Sequence, residues 1–207
     1  MNNRWSEFVV PTITETPQPA PAPIKPAATV DALRGVAVPQ LGMRNLPKGD
    51  RQLAQFEPDG PGPYWLGAHG GAGESTLAEL IGGSVCDHRW PATSLPARVP
   101  VLLVARISHD GLAAASLAAH DWASGRRTSV DLLGLVAVAA APGRTPRELT
   151  RRLHILSGAV PRTWVVPWIE DLRLTGTAHR GQLPREAEKC LQALDHLVAP
   201  HTHKGES

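Results

Sequence analysis

Between Tyr64 and Leu80 the chain reads YWLGAHGGAGESTLAEL. A short apolar run meets four glycines within seven residues (Gly67, Gly70, Gly71 and Gly73), and Ser75-Thr76 then open a helical pattern. Few backbone paths satisfy such a stretch. Glycines let the chain curl so that successive amides point inward, and a helix start adds the positive end of its dipole. The expected local structure is a strand, a curled turn and a helix from Ser75 to about Ile81. The turn is shaped to hold an anion, yet it carries an anion of its own, Glu74.

From Gly62 onward, short apolar runs alternate with helical stretches, as in a parallel α/β sheet. After PYWLGA, the stretch SVCDH reads as a short strand. VPVLLVARI (Val99–Ile107) is apolar throughout, as strands covered on both faces are. DGLAAASLAAHDWASG reads as a helix closed by Gly125, and VDLLGLVAVAAA as the next central strand. TPRELTRRLHILSG suggests a capped helix, with Thr145 as N-cap, Pro146 at the first helical position, Glu148 at the third and Gly158 at the end. Leu149, Leu153 and Leu156 share one of its faces. RTWVVPWI is the last strand. The expected fold is α/β, a three-layer sandwich on a mainly parallel sheet of about 4–5 strands with right-handed crossovers.

Eleven of the 20 prolines lie in residues 1–63. TPQPAPAPIKPAA cannot form a helix or bury a core, so residues 1–60 read as a disordered, proline-rich flexible arm, either a linker or a docking peptide for an unknown protein partner. VDALRGVAVPQL within it is an apolar patch that packs on the domain or meets that partner. Residues 61–175 form the domain, 176–200 a C-terminal helix with Ala187, Leu191, Leu194 and Val198 at helical spacing, and 201–207 a disordered tail. The net charge of +2 gives no strong field for nucleic acid. Arg144, Arg147, Arg151 and Arg152, with the basic turn GRRTS, allow at most a weak contact to a DNA backbone. Cys86 and Cys190 make neither a disulfide framework nor a zinc pattern. No apolar run is long enough to span a membrane, so the expected location is cytoplasmic.

From Ala68 to Ser75 the spacing A-H-G-G-A-G-E-S matches the phosphate-loop pattern G/A-x-x-x-x-G-K-S/T at every defined position except the lysine. HGGAGEST resembles the loop K-G-G-x-G-K-S/T of ParA/MinD-type ATPases, which partition plasmids and position division sites. VPVLLVARISHDGLAAA, LLGLVAVAAAPG and VVPWIEDLRL are similar to later segments of that family, so the resemblance covers most of Tyr64–Leu174. It implies a P-loop NTPase-like fold. A nucleotide would contact His69, Gly70, Gly71, Ala72, Gly73, Glu74, Ser75 and Thr76, with Pro167 and Trp168 on the base side. Ser75 would hold magnesium only with such a nucleotide. The chain departs from the pattern at three places: Glu74 replaces lysine, no apolar run ends in a Walker B aspartate (Asp87 is a poor stand-in), and the base-reading asparagine is missing. Losing the lysine alone forfeits about 1.5–3 kcal/mol.

The chain also resembles an uncharacterised family of high-GC Gram-positive bacteria that shares the G-A-x-G-G-A-G-E-S-T loop, the V-L-V-A-R, A-P-G-R and V-P-W segments, and in some members a location on plasmids or conjugative elements. Together these imply a pseudo-ATPase with no catalytic residue and no required cofactor, acting as a binding or scaffold component in mobile-element DNA transfer or partition. The alternative is an unconventional ATPase or GTPase, binding ATP and magnesium, whose missing positive charge comes from Arg106 or a partner. Arg106 ends the strand beside the loop and is the expected partner of Glu74.

Overall fold

The computed structural model describes residues 33–40, 53–60, 62–94, 96 and 98–202. Its elements are, in chain order, β1 (Leu33–Arg34), β2 (Ala54–Phe56), β3 (Tyr64–Gly67), α1 (Glu74–Ile81), β4 (Ser84–Val85), β5 (Arg89–Pro91) and β6 (Val99–Arg106). Then come α2 (His109–Ala123), β7 (Val130–Val138), α3 (Arg147–Ser157), β8 (Arg162–Val166), α4 (Glu170–Thr175) and α5 (Arg185–Thr202). The main sheet has the order β1-β8-β7-β6-β3-β4. Its strands from β8 to β4 are parallel, and β1 runs antiparallel at the β8 edge. A separate parallel pair joins β2 to β5.

The apolar strands explain the layers. In β6, Val101, Leu103 and Ala105 face one side and pack with Leu112, Ala115 and Trp122 of α2 and Leu153 and Leu156 of α3. Leu102 and Val104 face the other, toward Leu77 of α1 and Leu191 and Leu194 of α5. With both faces buried there is no polar alternation to preserve, which is why this strand reads as a continuous apolar run. From β3 the chain steps outward to β4, then returns across β3 to β6 and continues to β7 and β8. That reversal between β3 and β6 opens a crevice at their carboxyl ends, the usual ligand position in open α/β sheets.

Several boundaries differ from the sequence reading. β1 and β2 fall within the stretch read as a flexible arm. The segment at β1 is fixed by Gly35 N–H to Pro161 O (3.1 Å), Val36 N–H to Gly158 O (3.2 Å) and Gln40 N–H to Ala123 O (2.8 Å). So the backbone of VAVPQ is bonded to the domain at Val36 and Gln40, while Val38 is exposed, and residues 1–32 and 41–52 of the arm are outside the described residues. In α3, Pro146 itself is the N-cap residue and no side chain caps the helix. Its extended ψ of 142° keeps it out of the first turn, so the expected Thr145 capping box does not form. Glu148 pairs with Arg152 instead, at 3.2 Å. Helix α2 is capped by Ser108, whose Oγ accepts from Gly111 N–H. The C-terminal helix starts at Arg185, nine residues after the expected 176, and it carries Pro200, His201 and Thr202, so the expected tail at 201–207 starts inside it. The loop before it is held by Arg180, which bonds Glu188 (3.0 Å), Asp195 (2.8 Å) and Leu80 O (3.3 Å). The short helix α4 was not read from the sequence. Among the described residues no helix is long and apolar enough to cross a membrane.

One buried ionic cluster ties α2 to the turn that follows it. Asp121 of α2 is 2% exposed and accepts from Arg126 at 2.8 Å and Arg127 at 2.6 Å. The basic turn GRRTS is therefore turned inward to neutralise one carboxylate. Asp121→Ala leaves Arg127, 9% exposed, as an uncompensated buried charge. It is expected to lose about 3–5 kcal/mol in urea unfolding. Glu148→Ala, at an exposed pair, is expected to lose under about 0.5 kcal/mol.

Burial pushes the thiols of Cys86 and Cys190 up to about 12 from an ordinary 9.0. Between those values the unfolded chain has released protons that the native chain keeps. Their contribution to stability is complete below about pH 9 and is lost as pH rises toward about 12. Tyr64, also pushed up mainly by burial, acts in the same direction. The urea midpoint is expected to fall as pH rises from about 9 to about 10.5, and less steeply in Cys190→Ala.

Candidate functional site

The glycine turn is built from the end of β3. Ala68 N–H donates to Val104 O (2.8 Å), and Ala72 N–H closes the turn on His69 O (3.2 Å). Gly73 then adopts φ 105°, a left-handed value suited to glycine, and α1 begins at Glu74. No side chain caps this helix, so the amides of its first turn have no intrahelical acceptor.

Glu74 answers the question its position poses. It is 6% exposed, and its carboxylate folds back over β3. A methyl group added at Gly67 would lie 2.5 Å from Glu74 Oε1 and 2.8 Å from Oε2. The absence of a side chain at Gly67 is what makes room for the acid. Glu74 Oε1 pairs with His88 Nε2 at 3.4 Å, and His88 Nδ1 lies 2.9 Å from Gly67 O. Both ring nitrogens face oxygen atoms, one of Gly67 and one of Glu74. His88 is turned inward by two successive left-handed residues, Asp87 (φ 47°) and His88 (φ 57°). Each such non-glycine residue costs about 1–2 kcal/mol. The negative end of the loop is thus seated inside it, on the β4 flank, and the helix dipole adds favourable charge.

Arg106 sits on the opposite flank. Its Nε donates to Gly71 O (3.1 Å) and its Nη1 to Ala139 O (3.1 Å). The guanidinium meets the loop as expected but at a carbonyl, and no Arg106–Glu74 ion pair occurs among the described residues. His88 takes the place expected for Arg106. His69 Nε2 accepts from Arg106 N–H (3.1 Å), which fixes the tautomer with hydrogen on Nδ1, directed to Gly70 O (2.9 Å). The ring bridges loop and strand, so its Nε2 has no proton to offer an anion.

Beside Arg106 lies a cavity of about 350 Å³ at the carboxyl ends of β6, β7 and β8, within the range of small-molecule sites. Gly73, Thr76, Leu77 and Leu80 contribute from the loop and α1, and Val138 and Ala139 from the end of β7. Pro167, Trp168, Leu172 and Arg173 close it from α4 and the segment before it, with Leu191 from α5. Of the residues read from sequence, Gly73, Thr76, Arg106, Pro167 and Trp168 come together here. His69 and Gly70 line a smaller hollow on the opposite sheet face, with His88 and Asp121. Gly71, Ala72, Glu74 and Ser75 line neither, and Ser75 is exposed. Sequence reasoning missed His88 and the α4 wall. The Cys86-Asp87-His88 triplet was the one available signal for His88. No group of three or more His, Cys, Asp or Glu side chains that could hold a metal ion occurs among the described residues.

Gly67→Ala is expected to drive the Glu74 carboxylate out of the loop, at about 1–3 kcal/mol in urea unfolding. Glu74→Ala in the same background removes the clash, so the double variant is expected to be more stable than Gly67→Ala alone. Equal stability of single and double variants would show that the two positions do not meet.

No curated protein and no solved structure matches the chain. The model of a family of unknown function (DUF6668) matches residues 63–188, which run from the start of β3 into α5 and include both the glycine turn and the cavity. The chain belongs to the DUF6668 family.

Proposed function

We propose that the chain is a non-hydrolysing binding or scaffold component built on a degenerate phosphate loop, working in mobile-element DNA transfer or partition. The observation that carries this reading is the Glu74 carboxylate seated against Gly67 and paired with His88. Two like unit charges about 4 Å apart near a protein surface repel by about 4 kcal/mol. A charge-assisted hydrogen bond from Arg106 returns about 1.5–3 kcal/mol. The repulsion outweighs the contact, so a polyphosphate laid in this loop is disfavoured. Partner binding in this reading falls to the proline-rich segment ahead of β1.

The second reading, an unconventional nucleotide enzyme, draws support from Arg106 on Gly71 O beside the cavity. Titration with ATP and GTP in the presence of magnesium separates the two. The expected result is no turnover. Turnover that Ser75→Ala abolishes would reject the scaffold reading in favour of the enzyme.

A further inference from the structure

The cavity beside Arg106 has a chemistry of its own. Its floor is aliphatic, made by Leu77, Leu80, Val138, Leu172 and Leu191. Two arginines line it. Arg173 lies 3.7 Å from Glu170, so its charge is met. Arg106 has no carboxylate partner among the described residues, and the cavity therefore carries one uncompensated positive charge. Two main-chain carbonyls, of Gly71 and Ala139, hold the guanidinium in place before any ligand arrives. An arginine has five N–H donors. These two bonds leave one on Nη1 and both on Nη2, the end-on fork that fits a carboxylate. Thr76 adds a hydroxyl with no partner among the described residues. At the mouth, Trp168 has its ring nitrogen bonded to Glu170 and supplies a flat apolar surface.

We infer that this cavity binds a small amphipathic monoanion, with one carboxylate on Arg106 and an aromatic or branched apolar body on the aliphatic floor. The inference deepens the binding-component reading and rests on it in one respect, that the ligand is held and not turned over. Charge sets the class. A single carboxylate matches the single unmet cation. The further charges of a polyphosphate would find no second unpaired cation among the lining residues. A neutral apolar molecule would cover Arg106 without meeting its remaining donors, which is costly for a charged group.

The test titrates the full chain by calorimetry with naphthoate, the neutral naphthalenemethanol and magnesium-ATP. Naphthoate is expected to bind saturably, at least about tenfold tighter than the alcohol and tighter than ATP. Arg106→Gln is expected to abolish the preference, so that naphthoate binds no tighter than the alcohol. Leu172→Trp, which fills the floor, is expected to weaken both. Absence of saturation with naphthoate, equal affinity for naphthoate and alcohol, tighter binding of ATP, or a folded Arg106→Gln that binds naphthoate as before would each overturn the inference. If Arg106→Gln does not fold, the ranking of the three ligands on the unaltered chain decides. ATP turnover alone would reject the non-hydrolysing reading and leave the naphthoate ranking standing, so the two failures are distinguishable.

Discussion

A strand buried on both faces needs two layers of cover, and β6 is such a strand. Its alternate side chains enter two separate cores, one with α2 and α3 and one with α1 and α5. The positions of the helices follow from that requirement. Because the chain leaves β3 for β4 before returning to β6, the ends of β3 and β6 diverge into different connections. The glycine turn and Arg106 lie at that divergence, held by the Ala68–Val104 bond on one side and the Arg106–His69 bond on the other. The site is thus a consequence of how the sheet is wound.

Around the turn, opposite charges are separated by flank. Glu74 faces His88 on the β4 side, whereas Arg106 faces Gly71 and Ala139 on the β7 side. A direct Glu74–Arg106 pair would have neutralised both and left the crevice without a charge. Glu74 meets His88, and Arg106 is left without a carboxylate partner among the described residues beside the cavity. The two left-handed residues that turn His88 inward store about 1–2 kcal/mol each. Such a conformation persists only where the surroundings hold it, here through Gly67 O and Glu74.

The fold class was legible because it rests on patterns that need no tertiary information. VPVLLVAR and VDLLGLVAV are too apolar to tolerate water on either face, and the intervening helical periods leave parallel crossovers as the connection. The strand–turn–helix at Gly67–Ser75 was legible for the same reason. Boundaries that depend on a single ψ value were not, as Pro146 shows by displacing the expected cap of α3. Nor was β1, whose two residues gain their strand character only by bonding the β8 edge. His88 was illegible because its role depends on backbone conformations that histidine seldom adopts and on the empty position at Gly67.

The distribution of polar groups around the cavity bears on the proposed binding role. Of the groups lining the cavity, Arg106 is anchored at two carbonyls and the Trp168 ring nitrogen is committed to Glu170. Anchored donors favour a fixed charge on a bound molecule, because they lose little freedom when it arrives. General acid or base chemistry needs a titratable group within hydrogen-bond reach of the reacting atom. The titratable pair of this turn, the buried Glu74 and the partly exposed His88, meets on the opposite flank. On the proposed reading, a molecule resting on Arg106 would be recognised by its charge and apolar shape.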